Sequence, residues 1–172
     1  YRDNIDGLAG NDTLFGHGGD DVIQGGLGND TLHGGISVAQ ATNGSDRYVW
    51  SKGDGDDLII EFGRSQTEID TLELTDVAST DVKLFRVQGN YDLFVEILST
   101  GETITIDQQY QTAAHRYGLE VIEFSDGITW TLDDILTRTR VDGTTGNERR
   151  DGTEYRDNID GLAGNDTLFG HG

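Results

Sequence analysis

Aspartates recur in this 172-residue chain at a fixed interval: Asp3, Asp12, Asp21 and Asp30 stand nine residues apart. Glycines keep the same step at Gly7, Gly16, Gly25 and Gly34, as do large aliphatic residues at Ile5, Leu14, Ile23 and Leu32. The units read GLAGNDTLF, GHGGDDVIQ and GGLGNDTLH. Such a period is the mark of a repeat architecture and outweighs any single-site reading. Regular carboxylates, with no cysteine and no regularly spaced histidine, are the chemistry of a hard cation. Carboxylate and carbonyl oxygens select Ca²⁺ over zinc or copper.

Something must hold those carboxylates in place. The glycine, Asn and Asp residues of each unit favour tight turns, because glycine reaches positive φ without penalty. The residues that follow, such as Thr13-Leu14-Phe15, have length only for a short strand. Side chains alternate across a strand, so Leu14, Ile23 and Leu32 point one way. Turn, strand, turn and strand then close a flattened coil of two units, and turns stack along each edge 18 residues apart in sequence. Aspartates stacked in this way repel, which calls for cations between them.

The units match the GGxGxDxUx pattern, and here the chain resembles the RTX proteins: secreted toxins, serralysin-type proteases and alginate epimerases. The resemblance implies an all-β fold, a calcium-stabilised parallel β-roll with several Ca²⁺ ions between turns n and n+2. It implies ligands from the carbonyls of positions two and four and the Asp of one turn. The other turn supplies its Asp and the carbonyls of positions one and three. Carried over, one site joins Leu8, Gly10 and Asp12 to Gly25, Leu27 and Asp30, and another joins Asp3 to Gly16, Gly18 and Asp21. Leu8 and His17 stand where the pattern has its second glycine, so their carbonyls serve only at unusual φ angles.

After Gly34 the period breaks at an insertion, residues 36–42. Asn43-Gly44-Ser45-Asp46 recovers the end of a turn, and Lys52-Gly53-Asp54-Gly55-Asp56-Asp57 is another whole turn. Under the same pairing, Asp46 completes a site with His17, Gly19 and Asp21, and Gly34 and Asn43 belong to its turn. Asp57, with the carbonyls of Lys52 and Asp54, completes one with Gly26, Gly28 and Asp30. DGDD also begins an EF-hand pattern, but the twelfth position counted from Asp54 is Ser65 rather than Glu.

Three segments are expected: a β-roll over 1–62, a β-rich capping block over 63–142, and the start of a second roll over 143–172. Ile69–Leu74, Val82–Gln88, Asp92–Leu98, Glu102–Ile106, Leu119–Phe124 and Ile128–Leu132 alternate apolar and polar residues between turn signals, the grammar of antiparallel hairpins. The block resembles the one that follows the repeats in haemolysin-type calcium-binding proteins. It would cover the open end of the roll, with Phe85, Phe94, Ile122 and Trp130 packed there. Leu132–Thr139 reads as a short helix. Tyr1–Gly18 recurs unchanged as Tyr155–Gly172. That identity reads as tandem copies of one unit in a longer parent, or else as one duplicated edge. Gly143–Asp151 is a degenerate unit with Glu148 at the aspartate position and Arg150 at the apolar one. A weaker site there joins Thr144, Gly146 and Glu148 to Gly161, Ala163 and Asp166.

A net charge of −20 makes nucleic acid and anionic membranes poor partners. No apolar run is long enough to insert into a membrane. The absence of cysteine removes disulfides and thiolate zinc sites. His17, His33, His115 and His171 lack ligand spacing, Glu120 and Glu123 read as solvated strand residues, and Ser99 or Ser125 with His115 has no nucleophile elbow around it. No enzyme activity is expected. Two functions stay open. One is a structural calcium module that folds outside the cell after type I secretion, as the resemblance implies, serving as spacer or stalk of a toxin or adhesin. The other is a carbohydrate-binding accessory module that holds polysaccharide. Head-to-tail self-association through unfinished roll ends is a further expected partnership.

Overall fold

A computed structural model describes residues 1–35, 44–62, 67–111, 117–153 and 155–171. Strands β1 (Asn4–Asp6), β2 (Thr13–His17), β3 (Val22–Gln24), β4 (Thr31–Gly35), β5 (Arg47–Trp50) and β6 (Leu58–Ile60) alternate between two facing parallel sheets. The first sheet pairs β1 with β3 and β3 with β5, and the second pairs β2 with β4 and β4 with β6. In each strand the aliphatic eighth residue of the unit faces inward, so the nonapeptide period becomes a column of side chains. Ile5, Ile23 and Tyr48 share one register row, and Leu14, Leu32 and Ile59 share the row opposite. Tyr48, Ile23 and Ile59 are fully buried, which gives a roll of short strands its core.

The coil does not stop where the nonapeptides do. Strand β7 (Thr71–Leu74) pairs parallel to β5, and β11 (Val121–Phe124) pairs parallel to β7, so the first row runs on through Leu72 and Ile122. Strand β10 (Thr103–Ile106) pairs parallel to β6 and adds Ile106 to the second row. The run at Ile69–Leu74 therefore corrects the expectation of a hairpin there, and Leu119–Phe124 adds a parallel neighbour to the hairpin it forms with the strand after it. Alternation marks a strand with two different faces and is silent on the direction of its neighbour.

Hairpins do occur elsewhere in the block. Strands β8 (Val82–Phe85), β9 (Leu93–Ile97) and β10 form an antiparallel meander, and β12 (Thr129–Thr131) folds back on β11. Leu84, Leu93, Val95, Ile97 and Ile104 fill the core below the meander. Phe85 and Phe94 are only half-buried and stack with ring centroids 5.1 Å apart, on the strand face opposite Leu84 and Val95. The expectation that they lie in the covered core is corrected by that alternation, whereas Ile122 and Trp130 are buried as expected. Helix α1 (Leu132–Arg138) begins in a capping box between Thr131 and Asp134 and buries Ile135. Among the described residues, no helix is long and apolar enough to cross a membrane.

A second coil starts on the meander. Strand β13 (Arg140–Asp142) pairs parallel to β8, and β15 (Asn158–Asp160) to β13. Strands β14 (Arg149–Asp151) and β16 (Thr167–Phe169) form a separate parallel pair.

Candidate calcium sites

Turn geometry follows from residue type. Gly10, Gly19 and Gly28, at position four of their units, have φ of 131, 120 and 136°. At position two, Leu8 and His17 take φ of 69 and 72°, values that glycine reaches freely and a branched side chain resists. Their repeat counterpart Leu162 has φ 57°. The side chain of Leu8 is exposed, so its strain sits on the backbone alone.

Each turn hands its aspartate to the turn before it on the same edge. On one edge the N–H groups of Asp3, Asp21 and Asp46 donate to Oδ1 of Asp21, Asp46 and Asp70, at 2.7, 2.8 and 2.8 Å. On the other edge, Asp12 N–H donates to Asp30 Oδ1 and Asp30 N–H to Asp57 Oδ1, both at 2.8 Å. The sequence separations are 18 in the regular repeats and 24 to 27 beyond them. The ladder thus continues across the insertion and through Asp70.

One oxygen of each carboxylate is used in this ladder; the other is not. The Oδ2 atoms of Asp12, Asp21, Asp30 and Asp46 are buried and accept no hydrogen bond. A buried carboxylate oxygen with no partner is costly unless a cation or proton meets it. These oxygens lie against the first glycine of their own turn. A Cβ on Gly7 would stand 3.0 Å from Asp12 Oδ2 and 2.5 Å from the Gly25 carbonyl oxygen; on Gly16, 2.7 Å from Asp21 Oδ2 and 2.9 Å from the Gly34 carbonyl oxygen. Carboxylate n and carbonyl n+2 therefore converge where only glycine leaves room. Leu8 O accepts from Leu27 N–H at 2.7 Å, and Leu27 O from Gly10 N–H at 2.8 Å, which locks the two turns in step. Gly28 N–H donates likewise to Asp54 O at 2.8 Å. The carbonyls of Gly19, Gly28 and Gly146 aim at Gly44, Gly55 and Gly164 of the next turn.

The aspartates of four expected turn pairs are thus in contact: Asp3 with Asp21, Asp12 with Asp30, Asp21 with Asp46, and Asp30 with Asp57. Asn43 and the insertion at 36–42 lie outside the described residues, as does His115. Lys52 turns its main-chain N–H to Asp76 and its ammonium to Asp81. His17 and His33 flank Phe15 as stacked rings.

The start of the second coil is different. Glu148 N–H donates to Asp166 Oδ1 at 3.1 Å, so the ladder is repeated, and Gly161 sits close to Asp166 Oδ2. The Glu148 carboxylate, however, folds onto its own turn. It accepts from Thr144 N–H and Oγ1 and pairs with the Arg150 guanidinium at 3.2 Å. One turn on, Arg86 pairs with Asp157 at 3.0 Å, and both side chains are almost wholly buried. Guanidinium groups hold the acids of these two turns.

Sequence reasoning missed the groups that end the ladders. Asp70 N–H donates to Glu120 Oε2 at 2.8 Å, and the Glu102 carboxylate accepts from Gly53 and Gly55 N–H at 3.1 and 3.2 Å. These glutamates act where a further turn's aspartate would. Glu123 instead pairs with Arg47 at 2.7 Å, beside Glu73 at 3.0 Å. Burial and neighbouring carboxylates push Asp46 and Asp57 up to about 7 and Asp70 up to about 8, and they push Glu61 well up. Bare, these acids favour protons; a divalent cation would displace them.

Comparison with known proteins gives the same reading independently. The RTX calcium-binding nonapeptide repeat (4 copies) family matches residues 1–36 and 142–172. The haemolysin-type calcium binding protein related domain matches residues 92–134, over β9, β10, β11, β12 and the start of α1. A search of curated proteins found no match. With a parallel β-roll, stacked aspartate turns and both family matches in one chain, the protein is an RTX-type calcium-binding repeat protein whose repeats bind several Ca²⁺ ions.

Proposed function

We propose that the chain is a structural calcium module of a secreted protein, unfolded and acidic without Ca²⁺ and rigid with it. The observation that carries this reading is the row of buried, unpartnered Oδ2 atoms of Asp12, Asp21, Asp30 and Asp46. The ions take the Asp pair of turns n and n+2 with main-chain carbonyls from both, on the residues paired above. Two aspartates and four main-chain carbonyls at each position fall within the roughly six to eight oxygens that Ca²⁺ takes, and extracellular modules of this kind bind at about 10⁻⁴–10⁻³ M. That range leaves the chain loose in a cytosol and folds it outside, which fits export by type I secretion. The block over 63–142 then serves as both cap and nucleus. In tandem array, the module would be a spacer or stalk of a toxin or adhesin, with no catalysis of its own.

A polysaccharide-holding role has one observation in its favour. A cleft of about 300 Å³ is lined in part by Trp130 and by Lys83, Arg138 and Arg140, whose charges pair with Asp142, Asp134 and Asp160. Arg138 covers the Trp130 ring at 4.6 Å, so a sugar would have to displace it. A glycan array read with and without Ca²⁺ separates the two functions.

Circular dichroism in chelator, followed by Ca²⁺ addition, tests the main reading. Strand signal should appear cooperatively with Ca²⁺. A strand signal indifferent to chelation would overturn it.

A further inference from the structure

Glu61 breaks the pattern of the roll at one place. In the register of β4 and β6, His33 lies beside Ile60, so Glu61 follows where Gly34 follows on the neighbouring strand. Gly7 and Gly16 show what that place requires: no side chain, because carboxylate n and carbonyl n+2 meet there. Glu61 instead sends a carboxylate into the roll. A Cβ on Gly34 would overlap Glu61 Oε1, Asp46 Oδ2 and the Tyr48 hydroxyl oxygen, so these three atoms occupy the space that Gly34 leaves open.

The carboxylates of Asp46, Glu61 and Asp70 converge there. One oxygen of each lies within 4.8 Å of the other two, and all three residues are buried. Asp46 is 1 % exposed, and its Oδ2 has no hydrogen-bond partner. Among the described residues, no lysine or arginine forms an ion pair with any of the three; the nearby Arg47 is engaged by Glu73 and Glu123. Tyr48 donates its hydroxyl to Glu61 Oε1 and is itself fully buried, so the carboxylate is held in position.

We propose that Asp46, Glu61 and Asp70 form a cation site of side-chain carboxylates, with Tyr48 as a positioning residue, at the junction of the roll and the capping block. It deepens the calcium reading above and rests on it. The composition differs from that of the nonapeptide turns, which offer two aspartates and main-chain carbonyls. Three buried carboxylates at the ends of β5, β6 and β7 give more charge and less freedom, and ligand charge and rigidity set the affinity of oxygen sites. The ligand class is therefore a hard cation, Ca²⁺ or a lanthanide. This site fills at lower concentration than the others and ties β5, β6 and β7 together before the turns load.

Tb³⁺ and Ca²⁺ titrations of the whole chain test this, with emission excited through tyrosine and tryptophan. Wild type should show one tight step with strong sensitised emission, since Tyr48 touches the site. Glu61→Gln should weaken that step about tenfold or more while leaving the Ca²⁺-induced strand signal of the turns. An unchanged tight step in Glu61→Gln overturns the inference and leaves the calcium reading intact. Asp30→Ala is the opposite control: it should lose turn sites and keep the tight step. Retention of every site in Asp30→Ala would count against the turn-based reading and not against Glu61. If Glu61→Gln fails to fold, Tyr48→Phe decides, because it keeps the volume and all three carboxylates. A tight step weakened in Tyr48→Phe supports the site, and an unaltered one refutes it.

Discussion

Asp12 gives its N–H to Oδ1 of Asp30 at 2.8 Å, eighteen residues away in sequence, while Asp30 gives its own N–H to Asp57. Asp30 therefore belongs to two turn interfaces and Asp12 to one. The same holds on the other edge, where Asp21 is shared and Asp3 is terminal.

Unequal sharing sets unequal consequences. Asp30→Ala removes a carboxylate from two stacked pairs, and Asp12→Ala from one. In isothermal titration, Asp30→Ala should lose about twice as many Ca²⁺ ions and fold with a shallower Ca²⁺ dependence. Equal losses in the two variants would show that the turns are paired otherwise.

Acid should mimic calcium in part. Asp46 and Asp57 are pushed up to about 7 and Asp70 to about 8 from an ordinary 3.8, so the folded metal-free roll binds protons that the unfolded chain releases. That stability is present in full below about pH 4 and is lost as pH rises through 7 to 8. Metal-free chain should show more strand signal at pH 5 than at pH 8, and Ca²⁺ uptake near pH 7 should release protons. Titrations in buffers of different ionisation enthalpy measure that release; no dependence on buffer would contradict the account.

Arg86 joins the meander to the second coil through Asp157, with both side chains nearly buried. Removing one partner of such a pair leaves a buried charge and costs about 3–5 kcal/mol. Arg86→Gln should raise amide exchange over residues 143–171 and leave residues 1–60 protected. Adding Asp157→Asn should restore part of the loss. Uniform exchange across the chain in Arg86→Gln would show that the pair does not define the junction.

Strands β1 and β2 are sheet edges at one end, and β15 and β16 at the other. The two ends share one repeat sequence, because Tyr1–Gly18 equals Tyr155–Gly172. Parallel edges of this kind accept further strands. Light scattering across a Ca²⁺ series should show open-ended association of the 172-residue chain, reduced in a chain ending at Thr139. Association undiminished by that truncation would place the contact elsewhere.

The nonapeptide period alone determined the roll, the positions of its turns and the residues on them. Its information is local: glycines admit positive φ, one aliphatic residue per strand faces inward, and the stacking distance in sequence follows from two units per coil. Asp46 and Asp57 were legible because they sit in recognisable turns, even with the period broken. Long-range pairing decided the rest. The parallel partners of β7 and β11 lie 24 and 50 residues away across irregular loops, and alternation cannot tell a parallel neighbour from an antiparallel one. Glu61, Glu102, Glu120 and Arg86 carry no motif. Each gains its role only where folding sets it against a turn made elsewhere, because a carboxylate or guanidinium acts through the atoms it meets, and local spacing does not state which those are.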